Sequence, residues 1–119
     1  MPTQWKSYAA QTGLVYQYYF VGQRPALADD PEHPAVEYIF DATTDRKGTF
    51  AVSVFLPPAA LEHWEVARGR ELTEPEQYAG VKLRLLRAFD ELPDMLRDGR
   101  RLRIEGETLV ELLDSLGVD

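Results

Sequence analysis

The sequence predicts an α+β fold, with an antiparallel sheet of three to four strands packed with two to three helices in the order β-β-β-α-α-β-α. Three observations carry this expectation. Aromatic and β-branched segments with a period of two fill the first half of the chain. The period changes to about 3.6 residues immediately after Pro57 and Pro58. The strands come as a run before the helices instead of alternating with them, which favours α+β over α/β.

The first strand covers residues 14–21, LVYQYYFV, between Gly13 and Gly22. It places Leu14, Tyr16, Tyr18 and Phe20 on one face and Val15, Gln17, Tyr19 and Val21 on the other. Residues 22–35 hold three prolines and no periodicity, and read as a long loop of the kind that is usually functional or mobile. A second strand over 36–41 turns Val36, Tyr38 and Phe40 one way, and Glu37, Ile39 and Asp41 the other. Turn residues 43–48 follow, with Gly48 suited to a positive φ. A third strand over 49–56 then completes an antiparallel hairpin.

Ala60, Leu61, Trp64 and Ala67 share one arc of a short helix ending near Gly69. Thr73 and Glu76 have capping-box spacing, with Pro75 in the first turn, and open a helix that runs to about Leu92. Its stripe is Tyr78, Val81, Leu85, Ala88, Phe89 and Leu92, with Leu83 outside it. Pro93 ends it. A short turn or helix over 94–97 leads to a fourth strand, 101–104, with Leu102 and Ile104 inward. Thr108 and Glu111 repeat the capping-box spacing and open a last helix, which Gly117 is placed to stop.

At 119 residues the chain reads as one domain over 1–119, large enough for a core without metal or disulfide staples. It has no cysteine, which removes disulfides, thiolate metal sites and cysteine nucleophiles. Its net charge of -7 argues against a general nucleic-acid binder. No signal-peptide pattern and no apolar run near the ~20 residues of a membrane span are present, so the expected address is cytoplasmic, with no membrane partner.

No motif fixes an activity, and an enzyme is the less favoured class. Asp29, Asp30, Glu32 and His33 form the best metal-like cluster, but lack EF-hand or H-E-x-x-H spacing and read as a solvated loop. His63 lies beside Glu62 and Glu65, which point away from it on a helical wheel, and no serine has a nucleophile-elbow context. No glycine-rich phosphate loop occurs. The expectation is no catalytic residue, no metal and no cofactor.

Charge is uneven: residues 1–81 are net -5, residues 82–103 net +3 and residues 104–119 net -5. Arg97, Arg100, Arg101 and Arg103 form a basic stretch, with Asp94, Asp98 and Glu105 interleaved. The second face of the strands is more apolar than a solvated face should be. It carries Val15, Tyr19, Ile39, Ala51 and Phe55 among Gln17, Glu37 and Ser53. Either the last helix or the segment with Trp5 and Tyr8 covers it, or another chain does. Two functions follow. The first is a small interaction or assembly module that binds a protein partner or a second copy as a homodimer through Val15, Tyr19, Ile39 and Phe55. The alternative is a small-ligand or regulatory binding domain that uses the 22–35 loop with Arg24 and His33.

Overall fold

The computed structural model describes residues 4–27 and 31–119. Strands β1 (Lys6–Ala9), β2 (Val15–Ala26), β3 (Ala35–Thr43) and β4 (Phe50–Leu56) come first. Helices α1 (Pro58–Arg68), α2 (Glu74–Glu91) and α3 (Met95–Asp98), strand β5 (Arg101–Arg103) and helix α4 (Gly106–Ser115) follow. The class is α+β, but the sheet has five strands where three to four were expected, in the order β1-β2-β3-β4-β5. It is mixed, because β5 joins β4 in parallel while the other pairs are antiparallel. A parallel neighbour needs a crossover, and the helices α1 to α3 supply it.

Two further differences concern β1 and β2. The N-terminal segment, expected only as a cover, pairs as β1, with Tyr8 opposite Tyr16. The Tyr8 hydroxyl donates to Asp90 Oδ2 at 2.6 Å and the Gln11 N–H to Asp90 Oδ1 at 2.9 Å, which ties this edge to α2. The predicted 22–35 loop is shorter because β2 continues to Ala26. A bulge between Phe20 and Gly22 absorbs one residue. Pro25 is tolerated because β2 has by then outrun β1 and is an edge among the described residues.

The bulge changes the alternation. Tyr16, Tyr18 and Phe20 point to the helices, yet beyond the bulge Gln23 and Pro25 take that side, opposite Tyr38 and Val36. Arg24 is thereby moved to the other face, opposite Glu37. Register decides face in a sheet, so a single extra residue sets which side this guanidinium occupies.

The helices cover one face only. Tyr16 stacks on Phe89 with ring centroids 4.0 Å apart, and Tyr78 sits over Phe20, Tyr38 and Phe40. Val52, Val54, Leu56, Trp64, Leu85, Ile104 and Leu109 complete a core with no solvent exposure. α4 packs chiefly on α1 and α2, not on the open face of the sheet.

Local signals resolve as follows. Thr73 and Glu76 form the capping box at the start of α2. α4 begins earlier than expected, with Glu105 as N-cap, so Thr108 lies inside it and its spacing to Glu111 caps nothing. Gly117 has a φ of 77° at the end of that helix. In the β3–β4 turn the positive φ belongs to Arg46 at 62°, not to Gly48. The Asp45 carboxylate accepts from the N–H groups of Lys47 and Gly48 and fixes that turn. Among the described residues, no helix is long and apolar enough to cross a membrane.

Candidate functional site

The face of the sheet turned away from the helices is built by strand register. One row runs straight across four strands, with Arg24 opposite Glu37, Glu37 opposite Phe55, and Phe55 opposite Arg103. The adjacent row sets Gly22 opposite Ile39, Ile39 opposite Ser53, and Ser53 opposite Arg101. A third places Tyr19 opposite Asp41 and Asp41 opposite Ala51. The sequence-predicted residues Tyr19, Ile39 and Phe55 therefore share this face and are half-buried, and Val15 lies at its end, 55% exposed.

Neither predicted internal cover lies across this face. α4 is on the opposite side of the sheet, and Tyr8 points toward α2. Trp5 reaches the edge of the surface, where its ring meets Tyr19 edge-on at 4.6 Å.

The polar groups here are ordered by one another. Glu37 is only 8% exposed although no helix lies over it. Its Oε1 accepts from Arg24 Nε at 2.9 Å and its Oε2 from Ser53 Oγ at 2.6 Å. The Arg24 hydrogen bond, joined by that of Ser53, holds its carboxyl below the usual glutamate value. The Tyr19 hydroxyl donates to Asp41 Oδ2 at 2.7 Å, and this bond raises the tyrosine pKa. Arg101 lies over the Phe55 ring, its guanidinium carbon 4.7 Å from the centroid; its side chain makes no hydrogen bond or ion pair among the described residues, although its charge adds to the lowering at Glu37. Arg103 reaches Glu105 only at 3.7 Å.

At the far end of the face Trp5, Gln17, Thr43, Arg46 and Thr49 line a cleft of about 380 Å³, across which Arg46 Nε donates to Gln17 Oε1 at 2.6 Å. The surface thus combines an apolar centre, a basic end and a shallow recess.

Comparison with protein-family models, with curated proteins and with solved structures finds no match. What the face can do follows from its own chemistry.

The other sequence-predicted residues are dispersed. His33 lines a separate cleft of about 330 Å³ with Ala26, Pro57, Glu62 and Arg103, whereas Arg24 is on the sheet face with Glu37. Arg24 and His33 are not brought into one pocket. Of the acidic loop cluster, Asp29 and Asp30 lie outside the described residues, and among the described residues no group of three or more His, Asp or Glu side chains converges. His63 is exposed on α1, its side chain against Gly106 so closely that a Cβ there would come within 2.6 Å.

Residues that sequence reasoning missed are Glu37, Ser53, Arg101 and Arg103 as partners of Arg24 and Phe55. A signal existed for two of them. Leu102 and Ile104 inward implies that Arg101 and Arg103 both point outward on the same face. The Arg24 placement had no such signal, since it depends on the bulge.

Proposed function

We propose that this protein is an interaction module that docks a protein partner on the open face of its sheet. The observation that carries the reading is the one-sided packing: among the described residues the four helices lie on one side, while Tyr19, Ile39, Phe55 and Val15 stand on the other. Contiguous apolar surface rimmed by ordered polar groups is the usual composition of a docking site.

Size supports it. The strands, at about 3.3 Å per residue and about 4.8 Å apart, offer roughly 550 Å² of sheet. A standard interface takes about 800 Å² from each partner, a demand that Trp5 and the flanking side chains bring within reach. Preorganisation supports it as well. Arg24, Glu37, Ser53, Tyr19 and Asp41 are already hydrogen-bonded to each other, so little side-chain entropy is lost when the face is covered.

The test is the size of the protein in a native extract. Wild type should elute as an assembly heavier than the 13.6 kDa chain, and Tyr19→Glu and Phe55→Glu should elute at monomer mass. An assembly of twice the chain mass identifies a second copy as the partner. Thermal melts of the purified variants within a few degrees of wild type show that the fold is intact. A wild type that elutes as a monomer contradicts the reading, as do variants that leave a larger assembly unchanged.

A further inference from the structure

We infer that the partner presents an acidic segment, whose carboxylates engage Arg24, Arg101 and Arg103 while its apolar residues cover Ile39 and Phe55. This deepens the reading of the open face as a docking surface and rests on it.

The whole chain is net -7, yet the row Arg24–Glu37–Phe55–Arg103 and its neighbour Arg101 hold three guanidiniums against one carboxylate. That carboxylate is consumed, with Arg24 on one oxygen and Ser53 on the other. Asp41, farther along the face, is engaged by the Tyr19 hydroxyl. With Arg24 paired to Glu37 and Arg103 held loosely by Glu105, Arg101 is the guanidinium of this end that meets no carboxylate in an ion pair among the described residues, and it stands in a molecule of the opposite sign. Such a local reversal steers an acidic partner to this end and away from the rest of the surface.

Arg101 is the most specific element. Its guanidinium carbon rests 4.7 Å from the Phe55 ring centroid, a contact that leaves its N–H donors unused, and no carboxylate of the described residues meets them in an ion pair. A planar fork held in this way matches a carboxylate in two-point contact, with part of its ordering cost already met. Arg103, on β5 like Arg101, stands opposite Phe55 of β4, its side chain 56% exposed and its ion pair to Glu105 long at 3.7 Å. Gly22 leaves the position beside Ile39 without a side chain, which opens the apolar floor between Arg24 and Arg101.

A nucleic acid fits less well. Phosphate contacts supply most of the affinity for a polyanion, and a chain of net -7 repels one at long range. A protein segment that mixes acids with apolar residues meets both halves of the surface.

The experiment uses the full chain with a peptide of about ten residues, long enough to cross the face, in which glutamates alternate with leucine and phenylalanine. Glutamine and lysine versions of the peptide serve as comparisons. Amide chemical shifts of β3, β4 and β5 locate binding, and fluorescence of Trp5, at the corner of the face, follows it. The glutamate peptide should shift those amides and weaken about tenfold or more in the Arg101→Gln, Arg103→Gln double variant and at high salt. The glutamine peptide should bind far more weakly, and the lysine peptide not at all. Equal binding of the glutamate and glutamine peptides at the face overturns the acidic chemistry while leaving the docking surface in place. Binding of the glutamate peptide elsewhere, or no binding, overturns the proposal itself. A thymidine oligonucleotide that shifts the same amides at lower concentration overturns it in favour of a nucleic acid.

Discussion

Glu37 shows how this face is set at the scale of single residues. A carboxylate on an uncovered sheet would ordinarily be hydrated, but here Arg24, Ser53 and Phe55 close around it until 8% of it is exposed. Charge-assisted hydrogen bonds of this kind stabilise the ionised form, with Arg24 the larger cause and Ser53 the second. The consequence for pH follows from the sign. A glutamate whose pKa is lowered by folding contributes stability above its ordinary value of 4.5, and that contribution is lost as pH falls through the depressed folded value. Melting temperatures of wild type and Glu37→Gln should therefore differ at neutral pH and converge in acid, below the range where Glu37 stays ionised. A constant gap between the two proteins over the whole range would show that the ionised carboxylate contributes nothing.

Among the elements, the α2–α4 contact sets two tendencies against each other at Gly80. A glycine inside a helix costs about 1 kcal/mol relative to alanine, so Gly80→Ala should stabilise α2 taken alone. In the fold a Cβ at this position would lie 2.9 Å from Leu109 Cδ1, on a fully buried leucine with Leu113 behind it. Overpacking of a dense core costs about 1–3 kcal/mol, which outweighs the propensity gain. Gly80→Ala should lower stability by about 1 kcal/mol and the melting temperature by about 4 °C in calorimetry. A rise in melting temperature would mean that the helices separate easily at this point.

The elements also differ in how far they could be read from the sequence. The β3–β4 hairpin, α1 and α2 carry their own signals, which are strict alternation, a change of period at Pro57, and the Thr73–Glu76 box. β1 is four residues long, and β5 three, too short to hold a period. Both are strands because a neighbour offers an unsatisfied edge, which is a tertiary cause. The far half of β2 was hidden by Pro25 and by the bulge at Phe20 and Gly22. At the candidate face, Val15, Tyr19, Ile39 and Phe55 were legible because alternation alone assigns them a side. The Arg24–Glu37 pair was not, because its register exists only after the bulge. A capping-box spacing at Thr108 and Glu111 misled for a related reason. Spacing selects a cap only where the preceding chain is free to leave the helix, and α4 starts at Gly106.

For the whole molecule, the main consequence is an asymmetry between two sides of one sheet. One side is closed by helices and holds the buried aromatic core, and the other is left to solvent with an apolar centre and a basic end. The chain as a whole is net -7, and its acidic residues lie mostly outside this face, which holds Glu37 and Asp41 among its central strands. This division sets an acidic body against one face with a basic end, the arrangement on which the proposed docking of a protein partner rests. The central claim is that this face is occupied by a protein in the cell. Site-specific photo-cross-linking tests it most directly, with a photoreactive phenylalanine analogue placed at Tyr19 or Phe55, and at Val66, which is 79% exposed on the helical side, as the reference position. The expected result is a discrete adduct, of a second copy or of another protein, from positions 19 and 55 and none from position 66. Absence of an adduct at 19 and 55, or the same adducts from all three positions, would contradict the account.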